Sequence, residues 1–203
     1  MLCGTCRGSL RHLGPVLCGR CGAPTLWPVE RCRECAGRRL AFRRARAAVA
    51  YVGPARDLVA AWKEHGLRRA ATLAAELTVE RLEPPAVDVI TYIPPDPARL
   101  LVRGYHPAGR LARELAGRWA LPEVALLVRA GSTPSARQVG LARAERLQNA
   151  RGAFVAVAAI PRSVVLVDDV YTTGATVSAG ATALRHAGAR DVDVVTFART
   201  VRV

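Results

Sequence analysis

With 203 residues, 51% of them apolar and only 5% aromatic, the chain is long enough for one ordinary domain plus a small appendage, and a core of Ala, Val and Leu suits a helix-covered parallel sheet. The longest apolar run, about Ala153 to Ile160, falls well short of the roughly 20 residues a bilayer span needs, and cysteines open the chain where a secretory signal would place a basic and then a hydrophobic stretch, so a cytoplasmic protein without a membrane span is expected. A formal net charge of +14, almost all of it arginine because Lys63 is the only lysine, makes an anionic ligand or a polyanion a natural partner.

Three CxxC pairs (Cys3 with Cys6, Cys18 with Cys21, Cys32 with Cys35) fall within the first 35 residues, and no cysteine follows. That break divides the chain into a cysteine-rich zinc-binding module, residues 1–40, and a larger domain, residues 41–203. Cys18, Cys21, Cys32 and Cys35 make two knuckles ten residues apart, a spacing at which four thiolates close a tetrahedral, structural zinc site. Disulfides do not suit a cytoplasmic chain, and a redox CxxC does not come in threes. Cys3 and Cys6 admit two roles: half of a second metal site, or partners of Cys18 and Cys21 in the zinc site itself.

In the larger domain, strands and helices alternate. Arg46 to Val52 reads as a strand, Gly53 and Pro54 as a turn into a helix from Ala55 to His65, and Arg68 to Leu82 as a second helix stopped by Pro84 and Pro85. Asp88 to Ile93 is a short strand that runs into a basic loop, followed by a helix from about Pro107 to Ala120 and a strand from Glu123 to Val128. A long polar stretch, Gly131 to Gly152, is partly helical. Ser163 to Val167 is a buried strand, Gly174 to His186 a helix, and Val192 to Phe197 the last strand. This order predicts right-handed crossovers and a mainly parallel, Rossmann-like α/β sheet with helices on both faces.

The segment Val164 to Val177, VVLVDDVYTTGATV, carries the chemistry. A buried strand closes on Asp168 and Asp169, and ligands of open α/β sheets bind at the carboxyl ends of strands. A loop of small hydroxyl residues around Gly174 then opens a helix, whose first N–H groups, together with the hydroxyls of Thr172, Thr173 and Thr176, form a cradle for a phosphate. The GK[ST] of a P-loop is missing, which argues against triphosphate hydrolysis.

This string resembles the motif with which type I phosphoribosyltransferases bind phosphoribosyl pyrophosphate (PRPP). The resemblance implies that Asp168 and Asp169 take the ribose hydroxyls and that Tyr171, Thr172, Thr173, Gly174, Ala175 and Thr176 hold the 5′-phosphate. The stretch from Ile93 to Tyr105, with Arg99 and Arg103 four apart before RGY, is similar to the pyrophosphate-facing loop of the ComF family of competence proteins, and a guanidinium fork suits a diphosphate. Where that family continues with Asn and Gln, this chain has His106 and Pro107. Ser132 to Phe154 is similar to the family's TPxQxxLxRxxRxxN region, which implies Gln138 and Arg146 as candidates for ligand contact, and Lys63 in WKEHG aligns with LKFxG.

The ComF resemblance covers essentially the whole chain and implies a role in DNA uptake during natural transformation, with single-stranded DNA and the competence helicase as partners. Two molecular readings follow. One is a Mg²⁺-dependent transferase that moves the phosphoribosyl group of PRPP, or acts on a nucleotide-like ligand, with an acceptor the sequence does not specify. The other is a non-catalytic PRPP-sensing adaptor that binds single-stranded DNA through its basic surface, where few aromatics leave electrostatic contact as the dominant mode.

Overall fold

The computed structural model describes residues 3–64, 66–131, 152–157 and 159–201. Its elements are α1 (Gly4–Gly8), β1 (Arg44–Ala50), α2 (Pro54–Glu64), α3 (Arg69–Val79), β2 (Val89–Tyr92), α4 (Pro97–Arg103), α5 (Pro107–Trp119), β3 (Leu127–Arg129), β4 (Phe154–Ala156), β5 (Ser163–Tyr171), α6 (Ala175–His186) and β6 (Asp191–Arg199). Four strands form a sheet in the order β1-β6-β5-β2, every pair parallel, and β3 and β4 form a separate antiparallel pair. The mixed α/β architecture with a parallel sheet is the one expected.

The period-2 alternation of a strand sorts the core into two layers. Val165 and Val167 of β5 join Trp62, Leu77, Leu111, Leu115 and Phe197 beneath α2, α3 and α5. Val164 and Leu166 face the other way and pack with Phe42, Leu126, Val177, Leu184 and Val194. Cys18, Cys21 and Cys35 belong to this second layer, so the cysteine module and α6 together cover one face of the sheet.

Three elements depart from the sequence expectation. β5 runs on to Tyr171 instead of ending at the acids, because β6 continues to pair with it through Asp168↔Thr196, Val170↔Ala198 and Tyr171↔Arg199. The expected strand from Glu123 to Val128 is split: Val124 N–H bonds to the Ile90 carbonyl at 3.0 Å, and the chain then turns so that Leu127–Arg129 pairs with Phe154–Ala156. The expected basic loop after Pro95 contains helix α4. Its signals are local: Asp96 accepts from the N–H groups of Ala98 and Arg99 at 3.0 and 3.2 Å, Pro97 occupies the first turn, and Gly104 closes the helix at φ 68°. An aspartate cap contributes about 1 kcal/mol. The stretch 132–151 lies outside the described residues, as do Gln138 and Arg146 within it. Among the described residues no helix is long and apolar enough to cross a membrane.

Candidate functional site

The sheet's connectivity opens a crevice at the end of β5. Helix α5, between β2 and β5, packs on one face through Leu111, Ala112 and Leu115, whereas α6, between β5 and β6, packs on the other through Val177, Ala181 and Leu184. The loops after β2 and β5 therefore diverge, which is the topological switch point where open α/β sheets bind ligands. Pairing between these strands stops at Tyr92↔Val167, so Asp168 is the first residue of β5 beyond its β2 neighbour.

A cavity of about 360 Å³ occupies the crevice. Asp168, Asp169, Thr172 and Thr176 line one side, Pro94 to Asp96 with Arg99 and Arg103 another, and Lys63, Tyr51, Tyr105, His106 and Arg129 complete the wall. Seven of the predicted ligand residues are thus brought together: Lys63, Arg99, Arg103, Asp168, Asp169, Thr172 and Thr176. Thr173, Gly174 and Ala175 form the loop and helix start between the two threonines; Thr173 Oγ1 accepts from Ala175 N–H at 3.4 Å. Tyr171 is placed differently. Its ring is 4% exposed, meets Phe42 edge-on at 6.3 Å and lies under the Arg199 guanidinium at 5.0 Å, so it supports the loop from inside.

The electrostatics of the acid pair are uneven. Lys63 donates to Asp169 Oδ1 at 2.7 Å, while Asp168 Oδ1 accepts the N–H of Asp169 at 2.9 Å. Burial, followed by the neighbouring Asp169 charge, pushes the Asp168 carboxyl up to about 8, against the smaller opposing pull of that N–H, Lys63 and Arg129. His106 goes the other way: burial brings it down to about 4 despite the Asp169 charge, so a neutral imidazole faces the cavity at pH 7. Its ring meets Tyr92 at 5.1 Å, and it fits because Gly109 has no Cβ, which would fall 2.7 Å from Nδ1.

Sequence reasoning noted His106 only as a departure from a pattern and Tyr105 only as the end of the RGY stretch, and it missed Arg129 and Tyr51 as cavity residues. Arg129 Nε donates to the Pro95 carbonyl at 3.0 Å and its guanidinium stacks on Phe154 at 5.2 Å. Tyr105 and His106 are adjacent in the chain, but Tyr51 and Arg129 come from separate segments, and only the fold unites them with the site.

In the cysteine module, the sulfurs of Cys18, Cys21, Cys32 and Cys35 lie within 4.8 Å of one another, with Cys18 to Cys35 at 3.7 Å, Cys21 to Cys32 at 3.5 Å and Cys32 to Cys35 at 3.9 Å. A tetrahedral zinc with Zn–S bonds of about 2.3 Å requires sulfur separations of roughly 3.8 Å, so the donor set fits that ion. Burial alone would raise Cys18, but the N–H groups of Cys21, Cys32 and Arg20 outweigh it and bring the thiol down to about 7, whereas burial pushes Cys21 up to about 11. Cys3 and Cys6 stand apart at α1, where Cys3 Sγ accepts from Cys6 N–H at 3.4 Å, and are not in the four-sulfur group.

No protein-family model matches the chain. Competence protein F of Haemophilus influenzae strain Rd is 28% identical over 211 residues, an alignment that covers 98% of this chain and 90% of that protein. The chain is a homologue of competence protein F. Among solved structures, the allosteric regulatory enzyme of purine biosynthesis aligns at 25% identity and TM-score 0.42 over 65% of this chain, which spans 25% of that enzyme's length. A protein of Thermus thermophilus aligns at 21% identity and TM-score 0.34, covering 64% of this chain and 72% of that one. The alignment with competence protein F covers 98% of the chain, so it takes in both the cysteine module and the sheet.

Proposed function

We propose that this chain is a competence-related, phosphoribosyltransferase-like protein that binds PRPP with Mg²⁺ at the end of β5. The observation that carries the reading is the single cavity in which an acid pair, a hydroxyl-rich loop at a helix start and two arginines of α4 face one another. Asp168 and Asp169 accept from the ribose 2′ and 3′ hydroxyls. The N–H groups at the start of α6, which have no intrahelical partners, and the hydroxyls of Thr172 and Thr176 hold the 5′-phosphate. Arg99 and Arg103, one turn apart on α4, hold the diphosphate through their planar forks. Oxygen donors suit Mg²⁺, and the carboxylates with the diphosphate oxygens provide them; the ion supplies charge neutralisation to the pyrophosphate.

In the transferase reading, the bond from the anomeric carbon to the pyrophosphate oxygen breaks, pyrophosphate departs with that electron pair, and an acceptor nucleophile bonds to the carbon. Holding the donor is only half of this, because the acceptor must be aligned against the anomeric carbon. The test is calorimetry with PRPP and Mg²⁺ on the wild type and on the double variant Asp168→Asn with Asp169→Asn, followed by pyrophosphate release against a panel of nucleobases. Charge-assisted hydrogen bonds contribute about 1.5 to 3 kcal/mol each, so the double variant is expected to bind at least about tenfold more weakly. Equal affinities refute the site.

A second reading rests on the net charge of +14: a PRPP-sensing adaptor that binds single-stranded DNA during uptake, working beside a competence helicase. Tight PRPP binding without turnover on any base favours it.

A further inference from the structure

The loop between β5 and α6 is held from outside itself, and its holders come from the cysteine module and from Arg199. Arg38, three residues beyond Cys35, donates through Nη1 to the Thr173 carbonyl. A peptide unit is planar and trans, so its C=O and the following N–H point in opposite directions; a clamp on the Thr173 carbonyl fixes the Gly174 N–H on the opposite side from Arg38. The loop is also held from beneath. Arg199, 1% exposed, donates to the Cys21 carbonyl and to Glu34 Oε2 at 3.0 Å, and its guanidinium covers the Tyr171 ring. That ring fills the space beneath Gly174, where a Cβ would fall 2.2 Å from the tyrosine oxygen. One turn into α6, Ser178 Oγ accepts the N–H of Ala41 at 3.2 Å.

We propose that Arg38 is a positioning residue for the phosphate loop and that, through it and the Cys21–Arg199–Tyr171 stack, the four-cysteine metal site and the phosphate site are energetically coupled. The inference rests on reading Thr172 to Thr176 as a phosphate cradle. Arg38 and Cys35 share one short segment, so the metal that fixes the Cys35 sulfur also limits where the Arg38 guanidinium reaches. Coupling between two binding equilibria is reciprocal: if the metal-organised module tightens the loop on a phosphate, a phosphate in the loop tightens the module on its metal by the same factor.

The experiment uses the full-length zinc-loaded protein with ribose 5-phosphate as the probe of the loop. Arg38→Ala is expected to weaken ribose 5-phosphate about tenfold, since the ligand must then order the loop that Arg38 held in place, and Arg38→Lys to retain most of the affinity because an ammonium still donates to the carbonyl. The second readout is zinc affinity by equilibrium competition with a chelator. Saturating ribose 5-phosphate tightens zinc in the wild type, and the tightening disappears in Arg38→Ala. Wild-type binding with Arg38→Ala within about twofold of it, or zinc affinity indifferent to ribose 5-phosphate in the wild type, overturns the coupling alone. A wild type that binds neither ribose 5-phosphate nor PRPP overturns the phosphate reading and this inference with it.

Discussion

Lys63, the only lysine of the chain, reaches from the last turn of α2 to the end of β5 and places its ammonium 2.7 Å from Asp169 Oδ1. Both groups are largely removed from solvent, with 28% and 13% of their side chains exposed, so the attraction is screened less than at a surface pair. The lysine also favours the ionised form of Asp168. Lys63→Met is therefore expected to push Asp168 higher still and to weaken PRPP binding by about tenfold. Lys63→Arg restores only part of the loss, because a planar fork does not reproduce a compact ammonium. Calorimetric titration with PRPP and Mg²⁺ checks both; a methionine variant that binds as the wild type does would free Lys63 from any part in the site.

The raised Asp168 pKa gives a pH dependence with a definite sign. Its folded value of about 8 lies above the roughly 3.9 of an unfolded aspartate, so between these values the folded protein holds a proton that the unfolded chain has released. Stability from this group is fully present below about pH 4 and is lost as the pH rises through about 8. In the absence of ligand, Asp168→Asn should flatten the fall in melting temperature between about pH 5 and 8. Ribose hydroxyls favour the ionised carboxylate, so PRPP binding at pH 7 should release a proton and tighten toward pH 8. Calorimetry in two buffers of different ionisation enthalpy counts that proton; zero release contradicts the assignment.

How much of this was legible beforehand varies from residue to residue. The acid pair and the TTG loop were readable because a buried strand, two carboxylates and a helix start are contiguous in sequence. The extension of β5 through Asp168 to Tyr171 was not, since aspartate disfavours strands locally and only pairing with β6 overrides it. Helix α4 was masked by its arginines, although Asp96, Pro97 and Gly104 carried ordinary cap signals. Tyr171 belonged to the motif by position, yet its side chain turned to Phe42 and Arg199, and no local pattern specifies partners so distant in sequence. His106, Arg129 and Tyr51 converge only in three dimensions.

The cysteine module should depend on its metal. A segment of about 40 residues rarely holds its own fold without a staple, and thiolate ligation supplies folding free energy. The purified protein is expected to carry about one zinc per chain; Cys18→Ser or Cys32→Ser removes it, while Cys3→Ser and Cys6→Ser leave it in place. Stoichiometric zinc that survives loss of all four clustered thiols would move the site to Cys3 and Cys6.

Glu34 and Arg199 join the module to the last strand. With Arg199 almost wholly buried and Glu34 29% exposed, Glu34→Ala leaves a buried guanidinium short of its counter-charge. Breaking a buried pair on one side costs about 3 to 5 kcal/mol, and the partial solvation of Glu34 and the Cys21 carbonyl contact reduce this to about 2 kcal/mol. Urea unfolding of the zinc-loaded protein measures it, and a change below about 0.5 kcal/mol would mean that Arg199 is sustained by its carbonyl and aromatic contacts alone.

The net charge of +14 is testable as a DNA-binding surface because counterion release has its own signature. Each phosphate neutralised on a single strand contributes about 0.7 to the slope of log affinity against log salt, so a site spanning several phosphates loses affinity steeply between low and physiological salt. Stacking makes a different demand: each stacked base is worth about 1 to 3 kcal/mol and needs an exposed aromatic ring. Aromatic residues are 5% of the chain, and Trp27, 63% exposed in the cysteine module, is the clearest candidate among the described residues. Single-stranded DNA binding should therefore show a steep salt slope and stay within about twofold of wild type in Trp27→Ala, since a stacked base would cost at least about fivefold. Fluorescence anisotropy with a labelled oligonucleotide over a salt series reads both quantities. A flat salt series, or no binding even at low salt, would sever the charge from DNA, and a large loss in Trp27→Ala would make the cysteine module a stacking platform instead.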